Sequence, residues 1–477
     1  MALALLLGAT ACAVNPVTGR PQFTLISEGQ EVQIGQQGAQ QVEQSMALVD
    51  DSELQEYVSR LGHQLAAASE RPELPWSFKV VDDPTPNAFA LPGGPIYFTR
   101  GMLTLMNSEA QLVSVLGHEI GHITARHSVA QISRAQLAQL GIGIGMVVVP
   151  ELRPFADLAG VGLNLLMLRY SRDAERQADE LGFNYAREQN YDVTEMAEVF
   201  AALGRLADLE DRSPLPSWLA THPAPEERVR AIERRAERQE VARDPDTMVG
   251  HESYLMQIDG LAYGPNPRNG FFREHRFYHP DLEFQFAVPR GWQTQNLARA
   301  VIAASQEQDA VLQLTLAGVA DPEAALQRFM GQEGVARGRV ERRTINGIFA
   351  VQSNFQAQTQ QGVLSGRAAF LDYGGNVYQL VAYTSVDREA QYRAMFGDAI
   401  DSFAPLEDPE ILEVQPATIE IVRLDRDMTL AEFHRQHPSA IPVERLALLN
   451  QVEQPARPLP AGTLLKRVRG DPELLQN

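Results

Sequence analysis

His118-Glu119-Ile120-Gly121-His122 sets two imidazoles four residues apart with a carboxylate between them. On a helix, positions i and i+4 share a face, so both rings reach toward one ion and Glu119 stands beside them. Zinc held by three protein ligands keeps a fourth position for water, whose pKa falls to about 7. A neighbouring carboxylate then takes that water's proton and passes it to a leaving amine. The chemistry implied is hydrolysis of an amide bond. With 10 His in 477 residues, such a pattern arises by chance on the order of once per hundred chains, so its surroundings must decide. A structural histidine pair on a helix is the competing reading.

Two histidines need a third protein ligand. Downstream, Tyr170-Ser171-Arg172-Asp173-Ala174-Glu175-Arg176-Gln177-Ala178-Asp179 opens a second helix with Glu175 and Asp179 at i and i+4. Glu175 is the candidate ligand, and Asp179 the acceptor for a ligand histidine's free N–H. On spacing alone these acids serve equally well as a solvated helix face pairing with Arg172 or Arg176.

The first helix must carry the motif. Ser108 is its N-cap candidate, Gln111 stands three residues on as in a capping box, and Leu112, Val115, Leu116 and Ile120 supply a buried face. The pattern predicts a helix through about Ala130. On it, His127 lies nine residues after His118 and turns away from the metal-facing side, to a supporting or surface position. Ahead of this helix, Asn87-Ala88-Phe89-Ala90 and Ile96-Tyr97-Phe98-Thr99 read as strands around Pro92-Gly93-Gly94-Pro95. The edge Asn87, Ala88, Phe89, Ala90 is a candidate to pair with an extended substrate backbone, and an ordinary hairpin covering the core is the alternative.

The motif, the later Tyr-Ser-Arg-x-x-Glu-x-x-Ala-Asp, Asn15-Pro16-Val17-Thr18-Gly19-Arg20 and the Asn87–Gly94 stretch together resemble the HtpX/CAAX-protease-like gluzincin metallopeptidase family, in its periplasmic BepA-like lipoprotein branch. The resemblance covers about Asn15 to Arg235. It implies His118, His122 and Glu175 as ligands of one Zn2+ per chain and Glu119 as general base. Thr221-His222-Pro223 with Arg228 matches it too. The resemblance implies that His222 approaches the metal as a fourth ligand or switch that displaces water until substrate arrives, with a loop histidine free of metal as the alternative. Arg228 is read as an oxyanion or substrate contact, or as a plain ion pair with a neighbouring Glu.

Forty-one Lys and Arg against 61 Asp and Glu give a net charge of −20, a field that repels phosphate backbones and excludes nucleic acid as a partner. Met1 to Ala11 read as the apolar tail of a secretory signal. Cys12, the single cysteine, resembles a lipoprotein lipidation site, with an ordinary signal and an incidental cysteine as the alternative. Ala13 after it resembles outer-membrane sorting. The apolar runs Leu140–Val149 and Val161–Leu168 are shorter than the roughly 20 residues a membrane helix needs and read as helices buried in the catalytic domain or covering its site.

The expected fold class is α+β multidomain. Residues 1–12 form the signal segment, and 13–245 a mainly helical zincin-type catalytic domain with a small β edge. A Gly-, Pro- and Asn-rich linker covers 246–269. An α+β accessory domain follows at 270–405, faintly similar to PsbP/Mog-like domains, with alternating strands such as Leu312-Leu314-Leu316 and a hairpin turning at Gly374-Gly375. Residues 412–470 read strand, helix, helix, strand and resemble a degenerate LysM module, or a small spacer domain. The resulting expectation is a zinc endopeptidase of the bacterial envelope acting on misfolded or unassembled envelope proteins. It is periplasmic, held at the outer membrane by a lipid on Cys12, with peptidoglycan or the outer-membrane assembly machinery as further partners. The rival is a proteolytically silent chaperone or cell-wall-binding protein that keeps the peptidase fold.

Overall fold

The computed structural model describes residues 12–139, 170–209, 217–223, 225–239, 246–359 and 362–475. Its fold is α+β and multidomain, with two compact units. One lies within Met1–Gly264 and Ala417–Pro472, the other within Pro265–Pro416 and Glu473–Asn477. The two apolar runs 140–149 and 161–168 lie outside the described residues, as does the apolar segment before Cys12. Among the described residues, no helix is long and apolar enough to cross a membrane.

The first unit opens with β1 (Cys12–Val14) and β2 (Pro21–Phe23), an antiparallel pair. Helices α1 (Glu28–Ser45) and α2 (Ser52–Ala67) follow. Ser27 and Gln30 cap α1 reciprocally as a capping box, and Asp51 caps α2 through the Leu54 amide. β3 (Ser77–Val81), β4 (Ala88–Ala90) and β5 (Pro95–Thr99) form a three-stranded sheet in the order β3-β5-β4. β4 and β5 make the hairpin expected from sequence, Ala88 opposite Phe98 and Ala90 opposite Ile96. Their turn needs glycine twice, because Gly93 and Gly94 have φ of 76° and 137°. A Cβ at Gly93 would also stand 2.6 Å from the Val32 Cα, so the turn lies directly on α1.

A short helix, α3 (Arg100–Leu105), leads to α4 (Glu109–Thr124), and all 16 residues of α4 are buried. A helix sealed on every side must find internal partners for its polar groups, since each unpartnered one costs about 1–3 kcal/mol. Glu109 accepts from the Tyr57 and Tyr191 hydroxyls at 2.8 and 2.5 Å. Ser108 caps the helix through the Gln111 amide at 3.1 Å, whereas the Gln111 side chain accepts from Asn107 and donates to Glu195. Ser114 and Thr124 donate to the Ala110 and Ile120 carbonyls at 2.8 and 2.9 Å, and the remaining polar residues are the motif.

Helix α4 ends six residues earlier than its pattern predicts. Ala125 is its C-cap, Arg126 is left-handed with φ of 59°, and α5 starts afresh (His127–Gln139). The remaining helices are α6 (Arg172–Glu188), α7 (Glu195–Leu209), α8 (Ser217–Thr221), α9 (Pro225–Arg238) and α10 (His251–Gln257). The last lies in the stretch read from its Gly, Pro and Asn as a linker, and its Tyr254 and Leu255 belong to the main core.

Residues 417–472 complete this unit. Strand Thr418–Arg423 pairs antiparallel with Leu464–Arg469, and helices Leu430–Gln436 and Val443–Leu449 lie between them in sequence. Leu448 and Leu464 join the main core. Fully buried Lys466 donates from Nζ to the Thr104 and Met106 carbonyls at 2.7 and 2.8 Å, at the C-terminal end of α3. A donor there meets carbonyls that the helix itself leaves unbonded.

In the second unit a seven-stranded antiparallel sheet runs in spatial order 335–345, 348–359, 362–373, 376–385, 310–316, 300–304, 293–297. Strand alternation builds two cores from it. Ala369 and Leu371 pack with Tyr392 and Phe396 of helix Glu389–Asp401, while Ala368 and Phe370 pack with Ala325 and Leu326 of helix Pro322–Met330. A four-stranded sheet from 271–273, 276–279, 284–287 and 404–405 adds Phe277, Phe284 and Phe286 to the first core.

The contact that positions the site is between α4 and α6. A Cβ at Gly182 would meet the His118 amide nitrogen at 2.8 Å, and one at Gly117 would meet the Gly182 Cα at 3.0 Å. Two backbones therefore touch where side chains would ordinarily stand. Gly182→Val should cost about 1–3 kcal/mol through overpacking and weaken metal binding by forcing Glu175 away from His118. Thermal unfolding and a zinc titration check this, and wild-type values in both would refute the packing argument.

Candidate metal centre

Helix α4 presents His118 and His122 one turn apart, with Nε2 atoms 3.0 Å from each other. Ser171 caps α6 through the Ala174 amide, which starts that helix at Arg172 and puts Glu175 in its first turn. The Glu175 carboxylate stands 3.5 Å from His122 Nε2 and 3.7 Å from His118 Nε2. His222 follows α8 and brings Nδ1 to 3.2 Å from His118 Nε2 and to 3.0 and 3.1 Å from the Glu175 oxygens. These four residues are buried, and their donor atoms all lie within 4.8 Å of one another. Zinc–ligand bonds of about 2.0–2.1 Å at tetrahedral angles put neighbouring donors about 3.3 Å apart. The observed separations match that edge, so a divalent cation fits the donor set.

Burial and charge put His118, His122 and Glu175 in the protonation state a ligand needs. Burial, followed by Arg228, lowers the His118 pKa to about 4, and burial takes His122 well below the imidazole range, so both rings are neutral at pH 7. Burial works to raise Glu175, but His222 and Arg228 outweigh it and hold the carboxyl well below the usual range. For His222 the balance is reversed: burial lowers its pKa, while Glu175 and then Glu119 raise it by more. Glu119 is pushed up to about 7, mainly by burial. Its Oε1 is buried without a hydrogen-bond partner, 3.8 Å from His222 Nε2. An unpartnered carboxylate oxygen beside the donor set is the acceptor an attacking water requires.

Around the donors lies a supporting layer. Asp179 Oδ1 is 2.9 Å from His118 Nδ1, the partnership expected from its i, i+4 spacing with Glu175. Arg228 on α9 binds Asp179 with two bonds, 2.9 Å from Nε and 2.6 Å from Nη2. Its Nη1 is 3.3 Å from Glu175, and its guanidinium lies 3.9 Å from the Phe200 ring centroid and 4.7 Å from that of Trp218. In this arrangement Arg228 is a buried ion-pair partner of Asp179 and neighbour of Glu175. Tyr170 stacks on His122 at 3.9 Å and Trp218 on His222 at 4.7 Å.

The sequence-predicted residues His118, Glu119, His122, Glu175, Asp179, His222 and Arg228 thus come together. Asn87, Ala88, Phe89 and Ala90 are not among the donor residues; β4 packs against α4 and forms an edge with no further strand on it among the described residues. The Asn87 Oδ1 is buried without a hydrogen-bond partner. Cys12 is distant in sequence and lies in β1, opposite Phe23. The sequence reading assigns His127 a supporting or surface position turned away from the metal, on a helix continuing past it; the structure puts its ring against His122. Tyr170, Gln177 and Trp218 were not read as contacts of the site.

A buried His-His-Glu donor set on two touching helices, with a glutamate between the histidines, defines a metallopeptidase-type centre. Residues 52–236 match the model of peptidase family M48. The beta-barrel assembly-enhancing protease of Escherichia coli (strain K12) is 29% identical over 230 residues, covering 46% of this chain and 47% of that protein. The mitochondrial metalloendopeptidase OMA1 of Schizosaccharomyces pombe is 29% identical over 252 residues, covering 50% of this chain and 71% of that one. These matches support the M48 metallopeptidase family for this stretch of the chain. The chain spans about half the length of the bacterial relatives it matches. The cyanobacterial PsbP structure from Synechocystis sp. PCC 6803 covers 27% of this chain and 91% of its own, at 16% identity and a TM-score of 0.24, too low to argue a shared fold.

Proposed function

We propose that this chain is a zinc-dependent endopeptidase of the bacterial cell envelope, acting on misfolded or unassembled envelope proteins. The observation that carries the reading is the convergence of three imidazoles and one carboxylate beside the unpartnered Glu119 oxygen. His118, His122 and Glu175 would hold the ion. Zinc, when bound, polarises the scissile carbonyl and acidifies the attacking water. Glu119, with its pKa near 7, takes the water's proton and returns it to the leaving amine; a group near the working pH can do both. Asp179 fixes the His118 ring, and Arg228 balances the negative charge of Asp179 and Glu175. The β4 edge offers backbone pairing to an extended peptide, which selects for unfolded chains rather than a particular sequence.

The envelope assignment draws on the relatives' names, a β-barrel assembly-enhancing protease among them. In this reading the chain is periplasmic and anchored at the outer membrane by a lipid on Cys12, and 412–470 is a LysM-like module that approaches peptidoglycan or the assembly machinery. His222 stands as a fourth donor that keeps water out until substrate displaces it.

Casein cleavage by zinc-loaded wild type should fall about 10²–10⁴-fold in Glu119→Gln, the usual contribution of a general base, with zinc still bound. Equal cleavage by the two proteins would favour the proteolytically silent chaperone. Basal cleavage by His222→Ala should exceed that of wild type; a plain loss would mean that His222 serves catalysis instead. Growth with a radioactive fatty acid should label the wild-type chain and leave Cys12→Ala unlabelled, and equal labelling would exclude this anchor.

A further inference from the structure

Nine residues of continuous helix turn the chain by about 180° beyond a whole number of turns, at 100° per residue, which would carry His127 to the far side of α4 from His118. The break at Arg126 brings it back. Arg126 N–H bonds to the Ile123 carbonyl, its left-handed φ of 59° reverses the chain, and His127 begins α5 with its ring against the site. A non-glycine residue at positive φ is strained and persists only where its surroundings enforce it. Here they do. Arg126 donates from Nε to Glu31 at 2.9 Å and from Nη2 to the Ile26 carbonyl at 3.1 Å. Glu31 is itself fully buried and bound by Arg71 at 2.9 Å.

The result is a chain of contacts behind His122. His122 Nδ1 and His127 Nδ1 are 3.0 Å apart, and His127 Nε2 is 3.1 Å from the Gln177 carbonyl oxygen. One proton lies between the two Nδ1 atoms, and the Gln177 oxygen decides its owner. Because that oxygen accepts, the His127 proton belongs on Nε2, which leaves His127 Nδ1 as an acceptor and puts the His122 proton on Nδ1. Nε2 of His122 is then a bare lone pair facing the donor cluster. The opposite tautomers would aim a proton at His118 Nε2 and set a lone pair against the Gln177 oxygen. Both ring nitrogens of His127 are thereby engaged outside the donor cluster, so His127 is not itself a ligand.

We propose that His127 is a positioning residue for the metal site, holding His122 in the tautomer and ring orientation that present Nε2 to the cation, with Gln177 and the Arg126–Glu31 pair holding His127 in turn. The inference rests on the metallopeptidase reading of this site. Gln177 lies two residues beyond Glu175, so the same stretch of α6 supplies one ligand and braces another.

The test is the zinc dissociation constant, measured by competition with a chromophoric chelator, together with the visible spectrum of the cobalt-substituted protein. His127→Leu should weaken zinc binding about 10–100-fold, the usual cost of losing such a partner, and alter the cobalt bands. His127→Asn, whose amide oxygen can stand near the Nδ1 position, should restore most of the affinity and the wild-type bands. Gln177→Leu, at a partly exposed position, should weaken zinc in the same direction even if His127→Leu fails to fold. Wild-type affinity in His127→Leu or in Gln177→Leu, or equal losses in the Leu and Asn variants, would overturn the proposal. Should wild type and His118→Ala bind zinc equally poorly, the metal site itself would fall, a result distinct from any of these.

Discussion

Helix pairs ordinarily stand about 8–10 Å apart with side chains between them, too far for short ligands on both to share one ion. The whole site depends on removing those side chains. Gly117 and Gly182 let α4 and α6 meet backbone to backbone, with Gly121 resting on Ala178 and Leu181 one turn along. At that separation the first turn of α6 delivers a carboxylate into the space between two imidazoles on α4. The chemistry is therefore set by what is missing at positions 117 and 182 as much as by what is present at 118, 122 and 175.

Closeness creates an electrostatic problem, since it collects three carboxylates, three imidazoles and a guanidinium where water is scarce. Uncompensated charges in such a place are expensive, and each acid here is tied to a neighbour of opposite tendency. Asp179 is shared between His118 and Arg228, Glu175 lies between His222 and Arg228, and the guanidinium rests on the Phe200 and Trp218 faces. Glu119 is the exception. Its Oε1 has no hydrogen-bond partner, and burial, with Glu175 adding to it, raises its pKa against the pull of His222. A carboxylate left unsatisfied amid so much compensation is where proton transfer belongs.

Much of this was legible in the residues. The His118–His122 spacing, the Glu175–Asp179 spacing and the serine cap at 108 are local features, and local features survive into structure. So did the Pro92–Pro95 turn and the alternating strands of the second unit. What escaped was the end of α4. Arg126 carries no mark of a left-handed residue, since glycine or asparagine is the usual sign, and its conformation is set by Glu31, 95 positions earlier. Trp218 and Gln177 were hidden for the same reason, because their roles come from partners remote in sequence. The helix in the supposed linker escaped because Tyr254 and Leu255 find their burial against distant parts of the core.

The attachment of residues 417–472 to the first unit bears on how the molecule is made. Lys466 is 360 positions beyond Met106, whose carbonyl it caps, and Pro265–Pro416 of the second unit lie between them in the chain. The entropic cost of closing so long a loop grows only with the logarithm of its length, so a whole compact unit can be inserted between two segments of one core. A chain cut after Pro416 would leave the Thr104 and Met106 carbonyls without the Lys466 donor and the core without Leu448 and Leu464.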